Sequence, residues 1–387
     1  MNALQTQHCI DNALRCQTTT RLILAPLITA AVRTHIPSSN LNLQRRSLHR
    51  KATRITSAPT CRRPSSRLPI IHPFPRLDPI IHTASYSTAL PSNEPTIHPV
   101  FEHKSGTFQY LVADPSTKKA AIIDPVLDYD KCSQTITTTT ADALLSLVRE
   151  KGYTISLILE THAHADHLTS SFYLQRRLTE QQGTKPPVCI GKRIGQVQML
   201  FGERYGIDAD EYEGVFDKLF EDDEEFRIGE LTAKAIHLPG HTPDHLGYKI
   251  GDNVFCGDSL FHVDIGTARC DFPGGSAHSL YKSARKLLSL PDHVKVWTGH
   301  DYPPEGERDP VPYVTVGGHR QMNRHVKDGM TEDEFVAMRN ERDSHLAAPR
   351  LLHESLQVNV RAGRLPKENE AGMRLLKVPV KVKGMGL

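Results

Sequence analysis

Residues 161–167 read Thr-His-Ala-His-Ala-Asp-His, which places three imidazoles and one carboxylate between His162 and His167. A fold needs no such density of ligand side chains for its own stability, whereas a divalent-metal site asks for this set. The apolar run Ile155-Ser156-Leu157-Ile158-Leu159 leads straight into it and reads as a buried strand. Side chains at alternate positions of an extended segment leave on the same side. His162 and His164 are therefore expected to point together at one ion from the end of that strand. Asp166 and His167 are expected to open a helix that continues through Phe172, Tyr173 and Leu174.

Three later segments share one design: Leu238-Pro239-Gly240-His241, Phe255-Cys256-Gly257-Asp258 and Trp297-Thr298-Gly299-His300. Each is an apolar strand ending in a glycine turn that carries a metal-type side chain. Glycine lets the backbone turn sharply and approach an ion closely. Singly these segments say little, but in this order after the first motif they form a strong signal.

The surrounding pattern alternates strands with helices. Strands are expected at Thr107 to Val112, Lys119 to Ile123, Leu231 to Leu238, Gly247 to Ile250, Asn253 to Cys256 and Val294 to Thr298. Helices are expected from Ala141 to Lys151, stopping at Gly152, and from Ser279 to Leu290. A helix-rich section fills residues 168–220. Thr331-Glu332-Asp333-Glu334 has the form of a capping box and should start one C-terminal helix running to about Leu346, followed by extended chain.

The leader differs from the body. Between Asp11 and Asp78 there is no acidic residue, against twelve Lys or Arg among abundant Ser, Thr and Pro. This reads as an organelle transit peptide over residues 1–90, addressed to the mitochondrial matrix and cut between Pro75 and Thr96. A basic arm for nucleic acid is the competing reading, but the segment lacks interleaved aromatics. Beyond residue 90 there are 35 basic and 42 acidic residues, a formal −7, although the whole chain carries +3. That acidic body argues against a nucleic-acid partner. The longest apolar run, Leu22 to Val32, is too short to span a bilayer and contains Pro26, so no membrane segment is expected. Cys132, Cys189, Cys256 and Cys270 are widely spaced without a C-x-x-C, which points to free thiols.

The ordered ligand set over roughly residues 97–305 resembles the metallo-β-lactamase superfamily. The resemblance implies an α+β fold, the αββα sandwich, with the metal site at one edge between the sheets. It divides the chain into the leader, a catalytic domain over 91–310, and a C-terminal extension over 311–387 that packs on it. In two-metal members the positions of His162, His164 and His241 hold one ion. Those of Asp166, His167 and His300 hold the other, and that of Asp258 bridges them. The stretch Asp264-Ile265-Gly266-Thr267-Ala268-Arg269-Cys270-Asp271-Phe272-Pro273-Gly274-Gly275 is similar to the persulfide dioxygenase branch, in particular its bacterial-type members. The 79 residues from His162 to His241 imply a helical insertion relative to shorter enzymes of that branch.

That branch implies one Fe(II) per chain, held by His162, His241 and Asp258, with the opposite face open. Its partners are glutathione persulfide and O₂, and its products sulfite and glutathione; a homodimer is left open. His164, Asp166, His167 and His300 then orient ligands and bound water. Tyr302 is expected to donate a hydrogen bond near the iron, with Asp166 as the second catalytic group. Arg269 is a candidate anchor for a glutathione carboxylate or, equally, one half of a structural salt bridge. His245 and His262 are read as non-ligands and Cys270 as a packing residue. The alternative is a glyoxalase II-like hydrolase of glutathione thioesters with two Zn²⁺ ions activating water. A single C-terminal helix fits that alternative poorly.

Overall fold

The computed structural model describes residues 93–304 and 306–384. The expected transit peptide lies outside the described residues. The first half runs β1 (Thr96–Glu102), β2 (Thr107–Ala113), β3 (Lys119–Ile123), β4 (Val126–Asp130), β5 (Thr135–Thr137), α1 (Thr139–Lys151) and β6 (Thr154–Leu159). It continues with β7 (Leu168–Thr169), α2 (Ser171–Gln182), β8 (Val188–Gly191), α3 (Ile194–Tyr205) and β9 (Lys218–Phe220). The second half runs β10 (Glu225–Ile228), β11 (Leu231–His237), β12 (Leu246–Ile250), β13 (Asn253–Phe255), α4 (Ala277–Leu288) and β14 (Lys295–Trp297). It ends with β15 (Tyr313–Thr315), α5 (Val316–Met322), α6 (Glu332–Ser344) and α7 (Leu352–Asn359).

Two six-stranded sheets form, in the orders β1-β2-β3-β6-β8-β9 and β10-β11-β12-β13-β14-β15. Period-two alternation along each strand builds the layers. In β2 and β3, Tyr110, Val112, Ala121 and Ile123 face the second sheet and meet Ala233, Ala235, Tyr248 and Ile250. Their neighbours Leu111, Ala113, Ala120 and Ile122 face outward, where α1, α2, α3 and α7 cover them with Leu144, Leu174, Phe201 and Leu356. On the other side Ile236, Val254 and Val296 pack under α4, α5 and α6 through Leu280, Val316 and Phe335. Helix, sheet, sheet and helix thus stack as an αββα sandwich, the expected α+β architecture.

The C-terminal extension departs from expectation. The capping box is present, with Thr331 and Glu334 bonding each other's backbone, and it starts α6 at Glu332. Two further helices accompany it. α5 contains Gly317 and Gly318, which mask its helical propensity. Along α7 the segment Glu354–Asn359 is buried throughout, so no polar stripe marks a period of 3.6. β15, also from the extension, completes the second sheet by pairing with β14. The 168–220 section contains α2 and α3 but also strands β7, β8 and β9. Among the described residues no helix is long and apolar enough to cross a membrane.

Candidate metal centre

The segment after β6 is not extended. Asp124, at the end of β3 with φ 50°, accepts the Thr161 backbone N–H at 2.7 Å and the Thr161 hydroxyl at 2.9 Å. That clamp bends the chain into a loop, so alternation along a strand does not govern the two histidines. Their ring centroids lie 4.2 Å apart, but they serve different groups. His162, His241 and Asp258 present ligand atoms all within 4.8 Å of one another. His164 instead hydrogen bonds Asp124 Oδ1 through Nε2 at 3.2 Å and lies 3.3 Å from Glu160 Oε2.

In the first group each imidazole has one nitrogen in use. His162 Nδ1 meets Thr161 Oγ1 at 2.9 Å, and His241 Nδ1 donates to the Arg269 carbonyl at 2.8 Å. Both Nε2 atoms then face Asp258 Oδ2, at 4.0 Å for His162 and 3.7 Å for His241. His162 Nε2 and Asp258 Oδ1 are buried without a hydrogen-bond partner. Burial, followed by His164, His245 and His241, holds the His162 pKa well below the usual imidazole range. A neutral imidazole with a stranded lone pair beside a carboxylate is the state a divalent cation requires. The residues therefore fit a metal ion.

A second group, His164, Asp166 and His167, also falls within 4.8 Å. Burial and then His164 push His167 down to about 4, and its Nε2 has no partner. Burial would raise Asp166, but His300, His167 and His164 outweigh it and bring the carboxyl down to about 2. His300 Nε2 lies 3.2 Å from Asp166 Oδ2 and 3.4 Å from Asp258 Oδ2, so Asp258 stands between the two groups. Asp124, Glu160 and His164 form a third cluster behind them. Burial alone would lower His164, but Asp124 and then Glu160 hold its pKa well above the ordinary value. Its Nδ1 is buried and unpartnered.

A family model for the metallo-beta-lactamase superfamily matches residues 105–300. The chain belongs to the metallo-beta-lactamase superfamily. It is 44% identical over 296 residues to a Dictyostelium discoideum protein named Glyoxylase B2, covering 75% of this chain and 98% of that one. It is 28% identical over 285 residues to the mitochondrial persulfide dioxygenase ETHE1 of Bos taurus, covering 73% and 92% respectively. The crystal structure of ETHE1 from Myxococcus xanthus superposes with a TM-score of 0.56 at 28% identity, over 70% of this chain and all of that one. The protein is thus a superfamily enzyme, a hydrolase or a dioxygenase, related distantly to the ETHE1 persulfide dioxygenases.

The superfamily motif does not lead directly into a helix here. α2 begins at Ser171, not at Asp166, because Leu168 and Thr169 pair as β7 with β4, and Asn359 takes the His167 carbonyl and the Thr169 N–H that a helix would use. Gly299 shows why a turn glycine precedes His300: a Cβ there would collide with Asp258 Oδ1. His245 accepts the Asp258 N–H and His262 bonds Asp264, so neither is placed as a ligand. Cys270 packs beside Leu280 and Phe335, and burial pushes its thiol up to about 12.

A cavity of about 400 Å³ opens onto Asp166, His167, His241, Asp258 and His300. Ile265, Thr267, Ala268 and Arg269, from the stretch singled out in the sequence, line one wall. The Arg269 guanidinium, however, binds Asp271 with two nitrogens and the Ala347 carbonyl with the third, which is the structural salt bridge rather than a free anchor. Tyr302 stacks on His300 at 5.5 Å and is 52% exposed at the mouth. Lys104, Arg342 and Arg350 also line the cavity, and among the described residues none of their side chains has a hydrogen-bond or acidic partner. These three cations, with Asp124, Glu160 and Asn359, are the site features the sequence reading missed. Asp124 and Glu160 each directly follow an expected strand; the others carry no local signal.

Proposed function

We propose that this enzyme is a persulfide dioxygenase that converts glutathione persulfide, O₂ and water into glutathione and sulfite. The observation that carries the reading is the division of the candidate ligands: His162, His241 and Asp258 form an open group of two imidazoles and one carboxylate, while His164 Nε2 is taken up by Asp124 and Glu160. Iron bound to that group supplies the one-electron chemistry with O₂ that zinc lacks.

The chain's own residues supply orientation. A phenol keeps its proton at neutral pH, and the carboxylates of Asp166 and Asp258 oppose its ionisation further, so Tyr302 at the cavity mouth is able to donate a hydrogen bond to bound substrate. Asp166, ionised at neutral pH, accepts a hydrogen bond from the substrate S–H or from water. Lys104, Arg342 and Arg350 attract the carboxylates of glutathione at the mouth, a role the engaged Arg269 does not fill. The Arg-rich leader supports a setting in mitochondrial sulfide catabolism.

A second reading, a dinuclear zinc hydrolase of glutathione thioesters, draws on the second group His164, Asp166 and His167 and on the relative named Glyoxylase B2. The three-helix extension also removes one sequence argument against it. An oxygen electrode separates the two. The proposed enzyme consumes one O₂ per glutathione persulfide with sulfite formed, and leaves a glutathione thioester intact. Thioester hydrolysis without O₂ uptake refutes the dioxygenase.

A further inference from the structure

We infer that Asn359, at the end of α7, is a positioning residue for the metal-ligand loop, so that the C-terminal extension completes the metal centre. The inference rests on the site being a metal site and not on which reaction it runs. Asn359 lies 59 residues beyond the superfamily match, which ends at residue 300. Its side chain is buried, and all three of its hydrogen bonds go to one turn. Nδ2 donates to the His164 carbonyl and to the His167 carbonyl, each at 2.8 Å, and Oδ1 accepts the Thr169 N–H at 2.9 Å. Only one orientation of the amide satisfies two acceptors and one donor, so the network fixes the side chain.

The turn so held carries His164, Asp166 and His167, and it continues the same irregular loop that presents His162, the residue of this segment that both readings place on metal. With no strand or helix from Glu160 to His167, the loop lacks a regular ladder of its own to fix these side chains. Asn359 substitutes for that ladder by binding the backbone on both sides of Asp166. The helix that presents it is itself held. Gln198 Nε2 donates to the Val360 carbonyl at 2.9 Å, Arg361 pairs with Glu211 at 3.0 Å, and Leu356 and Val360 sit in the core under the first sheet. Gly363, just after α7, packs against the same turn: a Cβ there would stand 2.9 Å from the Thr169 carbonyl oxygen. Residues that orient a ligand loop set metal affinity through geometry rather than through contact with the ion.

Gln357 is a matched control on the same helix. It also makes three hydrogen bonds, but to the His353 carbonyl and to the Lys377 backbone, away from the loop. The test is metal affinity of the full chain, by chelator competition with Zn²⁺ and by the visible spectrum of the Co²⁺-loaded protein. Asn359→Leu should weaken Zn²⁺ binding about 10- to 100-fold and change the Co²⁺ spectrum, while Gln357→Leu stays within about twofold of wild type. Asn359→Asp, which keeps the acceptor for Thr169 and loses the donor, provides a second variant if the leucine form does not fold. Wild-type affinity and spectrum in a folded Asn359 variant, or an equal loss in Gln357→Leu, overturns the inference and leaves the metal site standing. A wild-type chain that binds neither metal overturns the site reading and this inference with it.

Discussion

His245 Nε2 accepts the backbone N–H of Asp258 at 2.9 Å, with both residues buried. A histidine lying between two candidate ligands in sequence therefore holds the backbone of one of them. Replacing it with leucine strands a buried N–H, which costs about 1–3 kcal/mol. His245→Leu should lower unfolding free energy in urea by that amount, and a change below about 0.5 kcal/mol would contradict the assignment.

His319 and His325 make the fold acid-sensitive. Each uses Nδ1 as an acceptor, His319 from the Asn323 amide and His325 from the Thr267 N–H, both at 3.1 Å. Burial holds His319 down to about 4; burial and then Arg339 hold His325 down to about 3. An unfolded imidazole takes its proton near pH 6.5 (about the model-peptide value). Below that pH the unfolded state binds more protons than the folded one, so stability is full at higher pH and falls as pH drops towards the folded values. The urea midpoint should decline from about pH 6.5 downward. His325→Gln keeps an acceptor that does not titrate and should flatten the slope; an unchanged slope counts against the account.

Arg342 and Arg350 line the cavity mouth without partners among the described residues. Removing both should raise KM for an anionic glutathione substrate about tenfold with kcat unchanged, the signature of lost uniform binding. Added salt should weaken wild-type binding and leave the double variant nearly indifferent. Equal loss in kcat, or no change in KM, would place the substrate carboxylates elsewhere.

The candidate ligands that the fold brings together were legible because the spacing of His162 to His167 and the three glycine turns are local features of the chain. The αββα layers were legible through alternation, as in Tyr110 to Ala113, whose successive side chains enter different cores. What local pattern could not reveal depends on distant contacts. Asp124 clamps the loop at Thr161, which assigns His164 and His162 to different groups, and the pairing of β7 with β4 defers α2 to Ser171. α7 was missed because a helix buried on every side shows no amphipathic period, and Arg269 was ambiguous because Asp271, two residues away, claims its guanidinium.

A metal count on protein purified without oxygen reads out whether one iron sits at His162, His241 and Asp258. About one iron per chain is expected, lost in His241→Ala and retained in His164→Ala. Two zinc ions per chain, with metal lost in His164→Ala as well, would contradict it.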